Sequence, residues 1–359
     1  MLLNEYIQNP SDPVMERLCA RLSEMATTLN QPDAWVAEQL TECGRSGVFA
    51  WFMEDQWGGL NWSELDQVKA YLALSAACLT TTFVITQRTG ACRRIADSDN
   101  KWIKQQYLPD LTAGNLFATV GISHLTTSRR HLAKPVLTAE RRNAGFVLNG
   151  YSPWVTGAPF ADAIVIGATL PDKDQVLLLV PGDLNGVEIP PTPQLVALSA
   201  SRTGEVRFDN ALLDEKFLLA GPHPNVMSTG TGAATGGLQT STLAIGLAKA
   251  AIDFIGQQSE QRTDLQETSL AIGSQWRQLC DNLLGMAEGN EVCSSEALRT
   301  RANSLALRAT QAALAVAKGA GFVETHPAGR WCREALFFLV WSCPQPVTRA
   351  NLCELAGIQ

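Results

Sequence analysis

The chain has 359 residues, of which 46% are hydrophobic and only 18% charged, a composition that supports a large buried core and excludes a disordered polymer. Its 28 Lys and Arg against 35 Asp and Glu leave a formal charge of −7, which opposes binding to a phosphate polymer and argues against nucleic acid as a partner. No apolar run reaches the roughly 18 residues that a bilayer crossing needs, and no basic-then-apolar leader opens the sequence, so the expected compartment is the cytoplasm.

From Pro13 to about Gly114 the apolar residues recur at helical spacing, as in MERLCARLSEMATTL and ELDQVKAYLALSAACL. Breaks are expected at Asn30 to Pro32, at Trp57-Gly58-Gly59 and at Pro109. Beyond Gly114 the texture changes to short β-rich runs between turn residues: FATVGIS, KPVLTAER, GFVLNGYSPWVT, ADAIVIGATL, QVLLLVP, GVEIP and GEVRFDNALL. From Thr240 onward the helical period returns in TSTLAIGLAKAAIDFIGQQ, SLAIGSQWRQLCDNLLGMAEG and SSEALRTRANSLALRATQAALAVAKGAG. The reading is an α+β chain: a helical domain over 1–114, a β-domain over 115–222 and a helical bundle over 223–359. The Gly, Ser and Thr-rich stretch PHPNVMSTGTGAATGGLQTST reads as a linker at the second boundary. The nine cysteines are scattered, odd in number and free of C-x-x-C spacing, which argues against zinc and disulfides and for reduced, mostly buried thiols.

Residues 145–170, GFVLNGYSPWVTGAPFADAIVIGATL, run from a Gly-rich hairpin into Trp154-Val155-Thr156, then a Gly-Ala-Pro turn, Ala161-Asp162 and an apolar strand. In this the chain resembles the acyl-CoA dehydrogenase family, which carries Trp-Ile-Thr or Trp-Ile-Ser followed by Ala-Asp in the same place. Three further segments follow the family order: QQYLPDLTAGNLFATV at 105–120, SRTGEVRFDNALLDEKFLLAG at 201–221 and KGAGFVETHPAGRWCREA at 318–335. The resemblance spans nearly the whole chain. It implies an N-terminal helical domain, a central β-barrel or sandwich and a C-terminal four-helix bundle, assembled as a homodimer or homotetramer. It also implies a flavin-dependent oxidoreductase that oxidises a CH–CH bond in an acyl-CoA, an acyl-carrier-linked thioester or a related small substrate, with FAD in preference to FMN.

Site residues follow from the same resemblance. Trp154, Val155 and Thr156 would line the flavin ring, with the Thr156 hydroxyl near N5; the other reading of Trp154 is a core aromatic. Phe117, Thr119 and Val120 would reach the ring through their backbone, and Ser123, Thr126 or Thr127 would donate to phosphate, although the family's Thr-Glu-Pro is missing there. Arg262 stands where relatives place a phosphate-facing Arg, but Leu265 and Gln266 replace the Phe and Gly expected after it. Gly319, Gly321 and Phe322 match the family's glycine turn near the adenine.

The catalytic base departs from the family. The place of the usual Glu is Ser342, and the alternative place on the first helix after the β-domain is Gly236; neither is a base. General acid–base catalysis is worth roughly 10² to 10⁴ in rate, so these losses shift weight towards an atypical oxidoreductase. His124 and His326 are the substitutes on offer, since imidazole titrates near neutrality, while Glu334 reads as a structural salt-bridge residue. Two alternatives stay open: a flavin-dependent monooxygenase of the same fold, and a flavin-free, non-enzymatic scaffold.

Overall fold

The computed structural model describes residues 6–126, 134–143, 145–228 and 237–358. Asp12 opens α1 (Pro13–Met25) by accepting the Val14 N–H, with Pro13 at the first helical position, where its missing N–H costs nothing. There follow α2 (Ala37–Arg45), α3 (Glu64–Ala77), α4 (Leu79–Asp97) and α5 (Lys101–Ala113). Ser63 and Asn100 cap α3 and α5 through their side-chain oxygens, and Gly114 ends α5 in the left-handed region. The break expected at Pro109 is not there: α5 continues through it. Two interactions hold the last turn despite the missing N–H. The Thr112 hydroxyl donates to Leu108 O at 2.8 Å, and the buried Arg88 guanidinium donates to the carbonyls of Leu111 and Leu116.

The central region holds β1 (Ala118–Gly121), the single turn α6 (Ser123–Thr126), β2 (Leu137–Arg142), β3 (Gly145–Val155), β4 (Ala163–Thr169), β5 (Gln175–Pro181), the two-residue β6 (Val187–Glu188), β7 (Gly204–Asp214) and β8 (Leu218–His223). The sheet order is β6-β7-β3-β2-β4-β5-β8, with β1 paired parallel to β4. Strand β4 is buried along its whole length because it serves two cores. Ala163 and Val165, with Leu177 and Leu179 of β5, face a core shared with Ala91, Ile95 and Ile103 of α4 and α5. Ile164, Ile166 and Ala168, with Val176, Leu178 and Val180, face the strands β3 and β7. A strand covered on both faces reads as an unbroken apolar run, which is how AIVIGAT and VLLLV appear in the sequence.

The chain then forms α7 (Leu238–Ser259), α8 (Gln266–Ala287) and α9 (Ser295–Ala317), each of more than twenty residues, and the shorter α10 (Pro327–Ala335) and α11 (Gln345–Leu355). A 3-10 turn at Leu336–Leu339 separates the last two, so the final bundle layer is built in pieces. The N-terminal and C-terminal helices do not form separate cores. Leu18, Leu74 and Ile85 pack in one cluster with Leu243, Leu247, Leu305 and Phe338. The closest approach is at Gly246 of α7, where a Cβ would lie 2.7 Å from Leu72 O and from Ser75 Cβ of α3; Ser75 Oγ donates to Leu243 O across this contact at 2.7 Å. Among the described residues no helix is long and apolar enough to cross a membrane.

Candidate active site

The strand Trp154-Val155-Thr156 ends β3 beside a bulge that disturbs its pairing with β7 between Ser152 and Val155. Its three side chains diverge. Val155 is wholly buried in the barrel core, Thr156 is 2% exposed, and the Trp154 indole is 47% exposed. The indole therefore stands half in solvent between the buried Pro153 and Val155. The Thr156 hydroxyl is not free: it hydrogen-bonds Thr203 Oγ1 at 2.9 Å, which in turn bonds Ser201 Oγ at 2.8 Å, a buried chain of three hydroxyls. The next residue, Gly157, is in the left-handed region and donates to Ser201 O, and a Cβ there would strike Trp35 and Phe117 at 2.7 and 2.8 Å. Trp35 stacks on Phe160 at 4.6 Å and meets Phe117 edge-on, giving an aromatic group next to the strand end.

Strand β1 lies behind. Phe117 is tied to Asp162 twice, its N–H donating to Oδ2 at 2.7 Å and its carbonyl accepting the Asp162 N–H at 2.8 Å. Thr119 and Val120 are buried, and the hydroxyls of Thr119, Ser123 and Ser152 are buried with no partner among the described residues. Buried hydroxyls are normally satisfied; Thr119 and Ser123 flank Gly121, and Ser152 Oγ lies beside that glycine. Gly121 explains why the backbone can come close: a Cβ there would sit 2.6 Å from Ile166 Cδ1, 2.9 Å from Ser152 Oγ and 3.0 Å from Val155 Cγ2. Thr126 instead donates to Ser123 O at 3.1 Å, closing α6; Thr127 lies outside the described residues.

The proposed bases are placed as follows. His124 is buried at 8% exposure in α6; its Nε2–H donates to Gly167 O at 2.8 Å, and its Nδ1 is buried without a partner. Burial holds its pKa below the ordinary imidazole value against the opposing Gly167 bond, so it is a neutral structural donor. His326 caps α10, Nδ1 accepting the Ala328 N–H at 3.2 Å, with its ring edge-on to Phe254. Ser342 sits in the turn between the 3-10 segment and α11 with φ of 43°. Trp341 before it stacks on Phe337 at 5.0 Å and meets Phe83 of α4 edge-on at 5.1 Å, while Arg299 of α9 donates to the Trp341 carbonyl at 2.9 Å. An aromatic wall therefore stands beside Ser342. Glu334 is buried, accepts from Thr80 at 3.4 Å and approaches Arg330 at 3.7 Å; burial pushes its carboxyl up, with Arg330 opposing. Gly236 lies outside the described residues.

Two family models and three relatives bear on this geometry. The acyl-CoA dehydrogenase N-terminal domain model matches residues 11–115 and the middle domain model residues 106–211, together more than half of the chain. The chain belongs to the acyl-CoA dehydrogenase family. It is therefore a member of a flavoprotein oxidoreductase family. The bovine mitochondrial short-chain specific acyl-CoA dehydrogenase is 23% identical over 335 residues, covering 88% of this chain and 81% of that one. A glutaryl-CoA dehydrogenase from Mycobacterium smegmatis, solved in complex with FADH2, superimposes with a TM-score of 0.79 at 18% identity over 97% of this chain and 96% of its own. A dibenzothiophene monooxygenase from Paenibacillus shares the fold as well, with a TM-score of 0.77 at 14% identity over 96% of each chain.

The residues present fit the ring of a flavin better than its phosphates. The exposed indole of Trp154 suits a flat apolar ring, whereas the hydroxyls of Thr119, Ser123 and Ser152 are buried away from the surface. Arg262 is otherwise engaged, donating to Val316 O at 3.0 Å and lying 3.6 Å from Asp264, so it ties the α7–α8 turn to the end of α9 within its own chain. Gly321 is buried against Leu314, Gly319 has open space around it, and Phe322 is 85% exposed. Sequence reasoning missed Ser152 and the Ser201–Thr203 pair. Ser152 lies two residues before Trp154, a strand-period signal that was available; Thr203 is 47 residues from Thr156 and carried none.

Proposed function

We propose that this chain is a flavin-dependent oxidoreductase acting on an acyl thioester or related small substrate, with FAD held along Trp154, Val155 and Thr156. The observation that carries the reading is the half-exposed Trp154 indole between the buried Pro153 and Val155 of a chain in this family. When bound, the flavin supplies a two-electron acceptor. Trp154 gives the ring an apolar wall. Phe117, Thr119 and Val120 would set the backbone of β1 beside it, and the Thr156–Thr203–Ser201 chain fixes one hydroxyl rotor in a dry environment.

Ser342 holds no proton acceptor for an α-proton, and His124 and His326 are spent on Gly167 and Ala328. Turnover of a plain acyl-CoA is then slower by the roughly 10² to 10⁴ that a positioned base supplies. The exposed apolar side chains of Phe322, Val323, Val340, Leu352 and Leu355 on the C-terminal helices support a homo-oligomer, dimer or tetramer. The test is anaerobic titration of the flavin-loaded protein with acyl-CoAs of graded length. Slow loss of visible absorbance with enoyl product supports the reading; no bleaching with any of them, at any time, removes it.

A second reading is a monooxygenase of the same fold: the family resemblance puts Ser342 in the place of the dehydrogenases' carboxylate, and an oxygen-using enzyme needs none. The similarity to a dibenzothiophene monooxygenase is in keeping with it. Oxygenated product that forms only with reductant and oxygen together distinguishes this reading from the first.

A further inference from the structure

A cavity of about 260 Å³ lies between α2, the 3-10 turn at Val48–Phe52 and the end of α5. That is just below the roughly 300–1,000 Å³ of sites for drug-sized ligands, which suits a molecule of a few heavy atoms. The half-buried Leu40, Leu116 and Phe117 give it apolar walls. Arg88 of α4 lines it too, and among the described residues no Asp or Glu does. Arg45 at its mouth is already paired with Glu42 at 3.0 Å, so the unpaired charge is that of Arg88.

Arg88 is 3% exposed, and its guanidinium lies 3.8 Å from the centre of the Phe49 ring. Its Nη2 donates to the carbonyls of Leu111 and Leu116, while Nη1 meets Cys92 Sγ at 3.9 Å. Carbonyls at a helix end offset only part of a full charge, about half an elementary charge. Burial lowers the Arg88 pKa, yet a guanidinium stays charged, and among the described residues no carboxylate opposes the shift. The two neighbours that could become anions, Cys92 and Tyr71, are both held protonated by burial, Tyr71 with its pKa pushed up to about 12. The Nε atoms of Arg94, Arg202, Arg299 and Arg330 are sealed in protein without an acceptor. That of Arg88 has no acceptor among the described residues either but is not sealed, so it is open to the cavity that its side chain lines. A buried cation with an unmet, accessible donor is completed by an anion.

We propose that this cavity binds a small monocarboxylate with a short apolar tail, such as butyrate. The carboxylate accepts the Arg88 Nε–H and completes its charge, and the tail lies on Leu40, Leu116 and Phe117. Arg88 selects against an amine, which would meet a like charge, and the apolar walls select against inorganic phosphate, which has no tail to cover them. No residue of the Trp154 strand lines the cavity, and Phe117 is the residue it shares with the aromatic group beside that strand. The site therefore stands whether or not the chain binds flavin.

Isothermal titration calorimetry of the purified full-length chain with sodium butyrate tests this, with butyramide, butylamine and inorganic phosphate as mismatched probes. Butyrate binds saturably with one site per chain, and each mismatched probe binds at least about tenfold more weakly. Arg88→Gln weakens butyrate binding by roughly ten- to a hundredfold, the range for a lost hydrogen bond to a charged group. Ala113→Phe, which fills the cavity from the exposed end of α5 without touching a charge, abolishes it. Far-UV circular dichroism confirms that both variants are folded; because Arg88 also holds the last turn of α5, the filled variant decides the matter if Arg88→Gln is not. The proposal is overturned if butyrate does not bind at millimolar concentration, if butyramide or phosphate binds as tightly as butyrate, or if folded Ala113→Phe binds butyrate unchanged.

Discussion

Acidification should erode the stability of the wild-type chain more steeply than that of a His124→Phe variant. Among the described residues, buried His124 makes one hydrogen bond, from Nε2–H to Gly167 O, and a proton added at Nδ1 would find no acceptor there. Burial therefore holds the folded-state pKa below the ordinary 6.5. The unfolded chain takes up this proton near 6.5 and the folded chain only at lower pH, so below 6.5 the unfolded state binds more protons. The contribution is complete above 6.5 and is lost as the pH falls towards the folded-state value, at a limiting slope of about 1.4 kcal/mol per pH unit. By about pH 5 the loss reaches at most about 2 kcal/mol. His124→Phe removes the donor to Gly167 and costs about 1–3 kcal/mol near pH 8, but it also removes the titration. The two unfolding free energies, from urea melts followed by far-UV circular dichroism across this range, should converge as the pH falls. Parallel curves would refute the buried neutral imidazole.

Other outcomes follow from single contacts. Gly121→Val should destabilise by about 1–3 kcal/mol in urea unfolding, because the new side chain meets Ile166, Ser152 and Val155 on three sides. Trp154→Ala should shift stability by less than about 1 kcal/mol, the indole being half exposed, yet weaken FAD binding several-fold in a fluorescence titration, in line with the roughly 0.5–1.5 kcal/mol of an aromatic pair. Ser342→Ala should leave the rate of acyl-CoA bleaching within about twofold, since a hydroxyl without a base removes no α-proton. Labelling of the native chain by a thiol reagent should spare Cys19, whose burial raises its pKa to about 12, and Cys43, which burial raises further.

Much of the fold was legible because its local signals are strong. AIVIGAT and QVLLLVP announced buried strands through unbroken apolar runs, and the helical period gave α3, α7 and α9. Pro109 misled, because the compensating donors, Thr112 and Arg88, belong to tertiary structure. That α3 and α7 share a core was also illegible: the period shows which face of a helix is apolar but not what covers it, and the decisive Gly246 contact spans the whole β-region. At the site, the Trp154 motif was visible and its exposure was not, since an indole in a β-run reads equally well as core. Arg262 kept the right charge in the right place, but its partners Val316 and Asp264 come from the fold and turn it inward.

The central claim is that a flavin lies along the strand carrying Trp154. The visible absorption spectrum of the purified full-length protein, with mass analysis of any chromophore released on denaturation, tests it most directly. A flavin spectrum with released FAD near one per chain is the predicted result, with Trp154→Ala weakening FAD binding several-fold. A colourless protein that takes up neither FAD nor FMN when supplied with them would contradict the account.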